Sequence, residues 1–240
     1  MSSTFAKHLS EKIVSSFVVS PFSGRNSVWT LGSIVAFGVP AGWFGVWSKL
    51  LKRSDPSYNR QMRLAERSRI WVGTFVVPSF CEELLWRVLL LPRPVLVGGG
   101  FFGWAPLPEG IYLWGPVSLA LYVAAHPLCG LLFRRNHVFR FFSDWRFLLI
   151  TAYLGIWCTI VYLQTASIWP PVTLHWLTVA VWQQFLGGAQ MLAGRSRSSE
   201  VEPSGRPPHE CLNADTNIRP NTMIEEEGPE GPSLSPSRHD

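Results

Sequence analysis

Apolar residues along this chain come in long unbroken blocks, with little of the alternation or one-faced periodicity of a soluble fold. Residues 28–47, 70–91, 111–133, 147–163 and 169–192 each approach the ~20 residues an α-helix needs to cross a hydrocarbon core. Two stretches, 28–47 and 147–194, contain no Asp, Glu, Lys or Arg. The pattern predicts an all-α, multi-pass transmembrane helical bundle of about five spans within 28–194. An N-terminal segment, 1–27, precedes it and a tail, 195–240, follows. Gln164, Thr165, Ala166 and Ser167 form a tight connection to the last block. Pro170 and Pro171 suit the first turn of that helix, where missing amide protons do no harm. Pro40, Pro78 and Pro127 lie inside apolar blocks and predict kinks that neighbouring helices must repair.

Composition agrees. Charged residues make up 15% of the chain and hydrophobic ones 47%, against the usual quarter for the former. The twelve tryptophans fit a chain with two headgroup-level belts. Basic residues give the blocks a direction. Lys49, Lys52, Arg53, Arg60, Arg63, Arg67 and Arg69 follow the first block. Arg134, Arg135, Arg140 and Arg146 follow the third, and Arg195 and Arg197 the fifth. The two intervening loops hold only Arg93. This alternation predicts an outer N-terminus and an inner C-terminus. The net charge of +5 is therefore mostly topology, and without an RNA- or DNA-binding motif it excludes nucleic acid as the expected partner. The lipid bilayer is the expected one.

The ends carry less. Segment 1–27 is Ser-rich and reads as an organelle transit segment or a short interfacial helix. The tail has no aromatic residue, seven prolines and the run Glu225-Glu226-Glu227, a composition that predicts disorder. Cys81, Cys129, Cys158 and Cys211 show no paired spacing for a disulfide framework or a thiolate zinc site.

Chemistry concentrates in a few polar residues inside the blocks. Glu82 and Glu83 stand side by side with Arg87 one turn on. An acidic group at membrane depth costs about 3 kcal/mol on insertion scales, so it normally faces a protein interior or a wet cavity. Glu83 and Arg87 share a helical face in the favourable acid-first order and read as a structural ion pair. Glu82 points elsewhere, with no local partner. The third block carries His126, one turn after Tyr122, and the fifth carries His175. Each histidine taken singly is as readily a hydrogen-bonding link between helices. Together, Glu82, His126 and His175 are of the types that activate water, on three separate helices. At 1.5 Å per residue, Glu82 and His175 fall at similar depth and His126 about one and a half turns nearer the inner face.

The set Glu82-Glu83-x-x-x-Arg87, Tyr122-x-x-x-His126 and His175 resembles the CAAX-processing and bacteriocin-processing family of intramembrane proteases, which includes the type II CAAX prenyl endopeptidases. The motifs stand in the family's order on separate helices. The resemblance implies an intramembrane endopeptidase acting on a protein or peptide substrate in the membrane, prenylated CAAX tails among the possibilities. It implies Glu82 as general base, His126 holding the water or a metal, and His175 at the oxyanion, with Glu83, Arg87 and Tyr122 in support. It leaves open whether catalysis is of the glutamate type or a zinc metalloendopeptidase with Glu82, His126 and His175 as ligands. One position departs from the family pattern. Four residues after His175 the family places an asparagine or aspartate, and here stands Val179; Thr178 and Gln183 are the nearby polar candidates. Two other classes stay open: a catalytically impaired relative acting as membrane scaffold or chaperone, and a small-solute or proton transporter. The compartment, whether plastid, endoplasmic reticulum or plasma membrane, is not legible.

Overall fold

The computed structural model describes residues 2–20, 23–54, 62–95, 104–132 and 135–192, with side chains from residue 6 onward. Among these residues every regular element is helical. Helix α1 spans Ser2–Val18 and α2 spans Gly24–Trp47. Helix α3 is composite, with an α-helical stretch Leu64–Thr74 followed by two wider π-helical stretches, Phe75–Cys81 and Leu84–Leu89. Then come α4 (Ile111–Leu132), α5 (Asn136–Phe142), α6 (Trp145–Thr165), α7 (Trp169–Phe185) and α8 (Gly188–Leu192). By length and composition, α2, α4 and α6 are long and apolar enough to cross a membrane. The protein is an integral membrane protein.

Helix α2 shows how such a helix is used. Leu31, Val35, Val39 and Trp43 form an exposed apolar stripe at four-residue spacing, while Ser33, Phe37, Ala41 and Gly45 are buried on the opposite side. Exposed apolar surface of this kind is unfavourable in water and neutral in lipid. Helix α7 packs against α2, α3, α6 and α8, and α6 packs against α2, α4 and α7. Two apolar clusters result. One joins Val88, Leu91, Ile111, Tyr162, Ile168 and Val172. The other joins Phe37, Ala41, Leu154, Cys158 and Leu174.

Two of the three kinking prolines are repaired in visible ways. Pro40 cannot donate to the carbonyl of Ala36, and the hydroxyl of Tyr153 on α6 donates to that carbonyl at 2.8 Å. Pro78 leaves the carbonyl of Thr74 free, and Ser79 Oγ donates to it at 2.8 Å. Side-chain hydroxyls are among the groups that make intramembrane prolines tolerable.

Two expectations need correction. The block 70–91 is not a plain α-helix, because it begins at Leu64 and winds through wide turns on either side of Glu82 and Glu83. The block 169–192 is broken. Helix α7 ends at Phe185, and Gly187 takes φ +79°, a left-handed conformation that stops a helix. Ser54 secures the break, donating its amide to Phe185 O at 2.9 Å and its hydroxyl to Gln184 O at 3.1 Å, and accepting from Gly187 N at 3.0 Å. Helix α1, within segment 1–27, packs on the bundle. Ser16 Oγ and Tyr162 Oη share a hydrogen bond of 3.2 Å, and Trp169 Nε1 donates to Phe17 O at 3.2 Å. Lys12 Nζ donates to the carbonyl of Leu91. These bonds pin α1 across the turn between α6 and α7 and the end of α3. The expected disordered tail lies outside the described residues.

Candidate active site

Glu83 and Arg87 meet as expected. Glu83 is 0% and Arg87 1% exposed, and Arg87 Nε lies 3.1 Å from Glu83 Oε2. The contact is an ion pair without hydrogen-bond alignment. Arg87 also reaches other helices, donating from Nη2 to the carbonyl of Gly155 on α6 at 2.9 Å. Its guanidinium carbon lies 4.8 Å from the centre of the Tyr122 ring on α4, within cation–π range. One side chain thus ties together α3, α4 and α6.

Glu83 has a second partner that sequence reasoning missed. Its Oε1 is 2.8 Å from Nδ1 of His175, whose side chain is only 2% exposed. An Nδ1–H donated to a buried carboxylate fixes ring orientation and leaves Nε2 to face the other way. Nε2 stands 4.0 Å from Oε2 of Glu82. His175 is therefore held between the two adjacent carboxylates, bonded to one and facing the other. Glu82 itself is 31% exposed, and its buried Oε2 has no hydrogen bond among the described residues.

His126 is one aromatic ring away. Its Nδ1 is 3.0 Å from the carbonyl of Tyr122, one turn back. The Tyr122 ring packs edge-on against both histidines, at 5.1 Å from His126 and 6.1 Å from His175 between centroids. Phe142 and Phe147 close around His126 at 6.0 and 5.7 Å. The Tyr122 ring thus contacts both histidines.

Glu82, Tyr122, His126 and His175 all line one cavity of about 460 Å³. The rest of its wall is mostly apolar and comes from α2, α4, α5, α6 and α7, with Phe37, Phe141, Phe147, Leu154 and Trp182 among the lining residues. Val179, Thr178 and Gln183 line it too. The contribution of α2 had no signal in the sequence, since nothing in its apolar run marks Phe37 or Ala41 as facing a cavity. Two of the lining residues carry buried polar atoms that lack a hydrogen bond among the described residues, Glu82 Oε2 and the Tyr122 hydroxyl. Such atoms are uncommon in folded proteins and ask for an explanation.

A catalytic zinc takes three protein donors around an open position. Among the described residues no three His, Cys, Asp or Glu side chains come together closely enough to hold one ion. Glu82, His126 and His175 do not close a ligand set in this arrangement, so no step is derived through a metal.

The fold and the site define a helical membrane protein with a carboxylate–histidine cluster facing an apolar interior cavity. Residues 66–181, nearly half of the chain and all of this cluster, match the family model described as type II CAAX prenyl endopeptidase Rce1-like. That match supports, at family level, a place among the CAAX-processing and bacteriocin-processing intramembrane proteases. No curated protein and no solved structure matches the chain.

Proposed function

We propose that the protein is an intramembrane endopeptidase of the glutamate type, cleaving a prenylated, CAAX-type or otherwise membrane-embedded protein substrate. The observation that carries the reading is the placement of His175, 2.8 Å from Glu83 and 4.0 Å from Glu82, at the edge of an apolar cavity. A gap of 4.0 Å is too wide for a direct hydrogen bond and suits one bridging water. Glu82 takes a proton from that water as its oxygen attacks the scissile carbonyl carbon. The carbonyl oxygen becomes the oxyanion, and Glu82 returns the proton to the departing amine. Glu83 holds His175 by Nδ1 so that Nε2 faces the water beside Glu82. Arg87 balances the buried charge of Glu83, and His126 lines the approach. The apolar wall suits a lipid chain or a transmembrane segment better than a free polar peptide.

A second reading, a scaffold without turnover, draws on Val179, which lines the cavity where the family pattern has a hydrogen-bond donor. The test uses the full chain purified into lipid, with a farnesylated CAAX peptide and an unprenylated transmembrane peptide as probes. Cleavage by the wild type and its loss in Glu82→Gln, with folding retained, is the expected result. Glu82→Gln preserves shape, and Glu82 Oε2 has no partner to lose. Cleavage that survives this substitution sinks the assigned base. A folded wild type that cleaves neither probe moves the scaffold reading ahead.

A further inference from the structure

The reading above leaves the oxyanion short of a donor. Val179 cannot supply one. Thr178 lines the cavity, but its hydroxyl already donates to the carbonyl of Leu174 at 2.8 Å. Gln183 lies eight residues beyond His175, about 12 Å further along the helix axis at 1.5 Å per residue, too far to share a carbonyl oxygen with His175.

Tyr122 fits the vacancy. It comes from α4, and it lines the same cavity as Glu82, His175 and Val179. Its ring is held on three sides, edge-on to His175 and His126 and beneath the guanidinium of Arg87. The side chain is 0% exposed, and its hydroxyl has no hydrogen bond among the described residues. A buried hydroxyl without a partner destabilises the resting fold. A donor left unpaired in the ground state and satisfied only as negative charge develops lowers the barrier selectively, because it binds the transition state better than the substrate.

We infer that the hydroxyl of Tyr122 is the oxyanion donor of this chain, replacing the side chain that Val179 lacks. The inference rests on the peptidase reading, and its experiment separates the two. Wild type, Tyr122→Phe, Val179→Asn, the double variant and Glu82→Gln are compared as full chains in lipid with the farnesylated CAAX peptide. Tyr122→Phe removes one oxygen and keeps the ring, so the bundle should melt no lower than wild type. Its kcat should fall ~100–1000-fold, the usual effect of losing one such donor, with KM little changed. Val179→Asn should add little to the wild type and restore most of the loss in the double variant. A merely structural role for Tyr122 predicts the reverse: a lower melting temperature and no rescue by asparagine. Wild-type kcat in Tyr122→Phe overturns the inference, as does a wild type that turns over only once Val179 is replaced by asparagine. Cleavage abolished by Glu82→Gln but untouched by Tyr122→Phe removes Tyr122 alone and leaves the peptidase reading standing.

Discussion

Replacing Arg87 with leucine tests how the buried charges are balanced. Arg87 and Glu83 are 1% and 0% exposed, so the substitution leaves the Glu83 carboxylate buried in the bundle without its arginine. Removing one partner of a buried ion pair costs about 3–5 kcal/mol, chiefly as the penalty of the charge left behind. The bond from Arg87 Nη2 to Gly155 O and the contact with the Tyr122 ring go at the same time. They belong to one network and do not simply add, so the loss should fall near the top of that range. The same reasoning sets an order. Replacing both Arg87 and Glu83 with leucine removes the isolated charge along with its partner, and should leave the protein more stable than Arg87→Leu alone. Unfolding by denaturing detergent in bicelles, followed by circular dichroism, gives the ranking directly. An Arg87→Leu protein with wild-type stability and a selective loss of cleavage would refute the reasoning, since Arg87 would then belong to the chemistry. A double variant less stable than the single one would refute the assignment of the cost to the unpaired carboxylate.

Gly155 allows α4 and α6 to approach closely: a Cβ there would stand 2.7 Å from Leu119 Cδ1 and 2.9 and 3.0 Å from two ring carbons of Tyr122. Gly155→Leu should cost about 1–3 kcal/mol by overpacking and lower cleavage through displacement of Tyr122, measured as a melting shift alongside kcat. Asp144 caps α6, its Oδ1 accepting from Arg146 N at 2.9 Å, so Asp144→Ala should cost about 1 kcal/mol in the same melting assay. Its hydrogen bond with the Arg146 side chain holds the Asp144 carboxyl below the ordinary aspartate value. That contribution is complete above the ordinary value of about 3.9 and is lost as pH falls through the lower folded value; an acid titration in which Asp144→Ala loses as much as wild type would contradict it. Reporters fused after Arg195 and within the loop 49–69 should lie on the same side of the membrane, and opposite sides would mean an odd crossing between them.

Much of the architecture was legible because lipid imposes a simple rule. Blocks 28–47, 111–133 and 147–163 differ by only a few residues from α2, α4 and α6, since uncharged apolar runs end where charge and proline begin. The repair of Pro40 and Pro78 was foreseeable for the same reason, although the agents, Tyr153 and Ser79, needed the tertiary structure. The pairing of Glu83 with Arg87 could be read from four-residue spacing. Its bond to His175 could not, because the two residues lie 92 positions apart and nothing local links them. The wide turns of α3 were hidden because a uniformly apolar segment carries no phase: its sequence looks the same whichever way it is wound. The end of α7 had a signal in Gly187-Gly188, which the apolar residues on either side outweighed.

The winding of α3 has a consequence for how this site can be lost. An α-helix turns about 100° per residue, whereas π-helical turns take in more residues, so Glu82 meets His175 through a phase accumulated over 75–81. A substitution there that let these seven residues relax to ordinary winding, with none lost, would swing Glu82 off the cavity with every named side chain still present, whereas deleting one residue as well would nearly restore its phase. Comparisons that score each column for identity would count such a relative as intact. For chains of this kind, the winding between motifs counts as much as the residues within them.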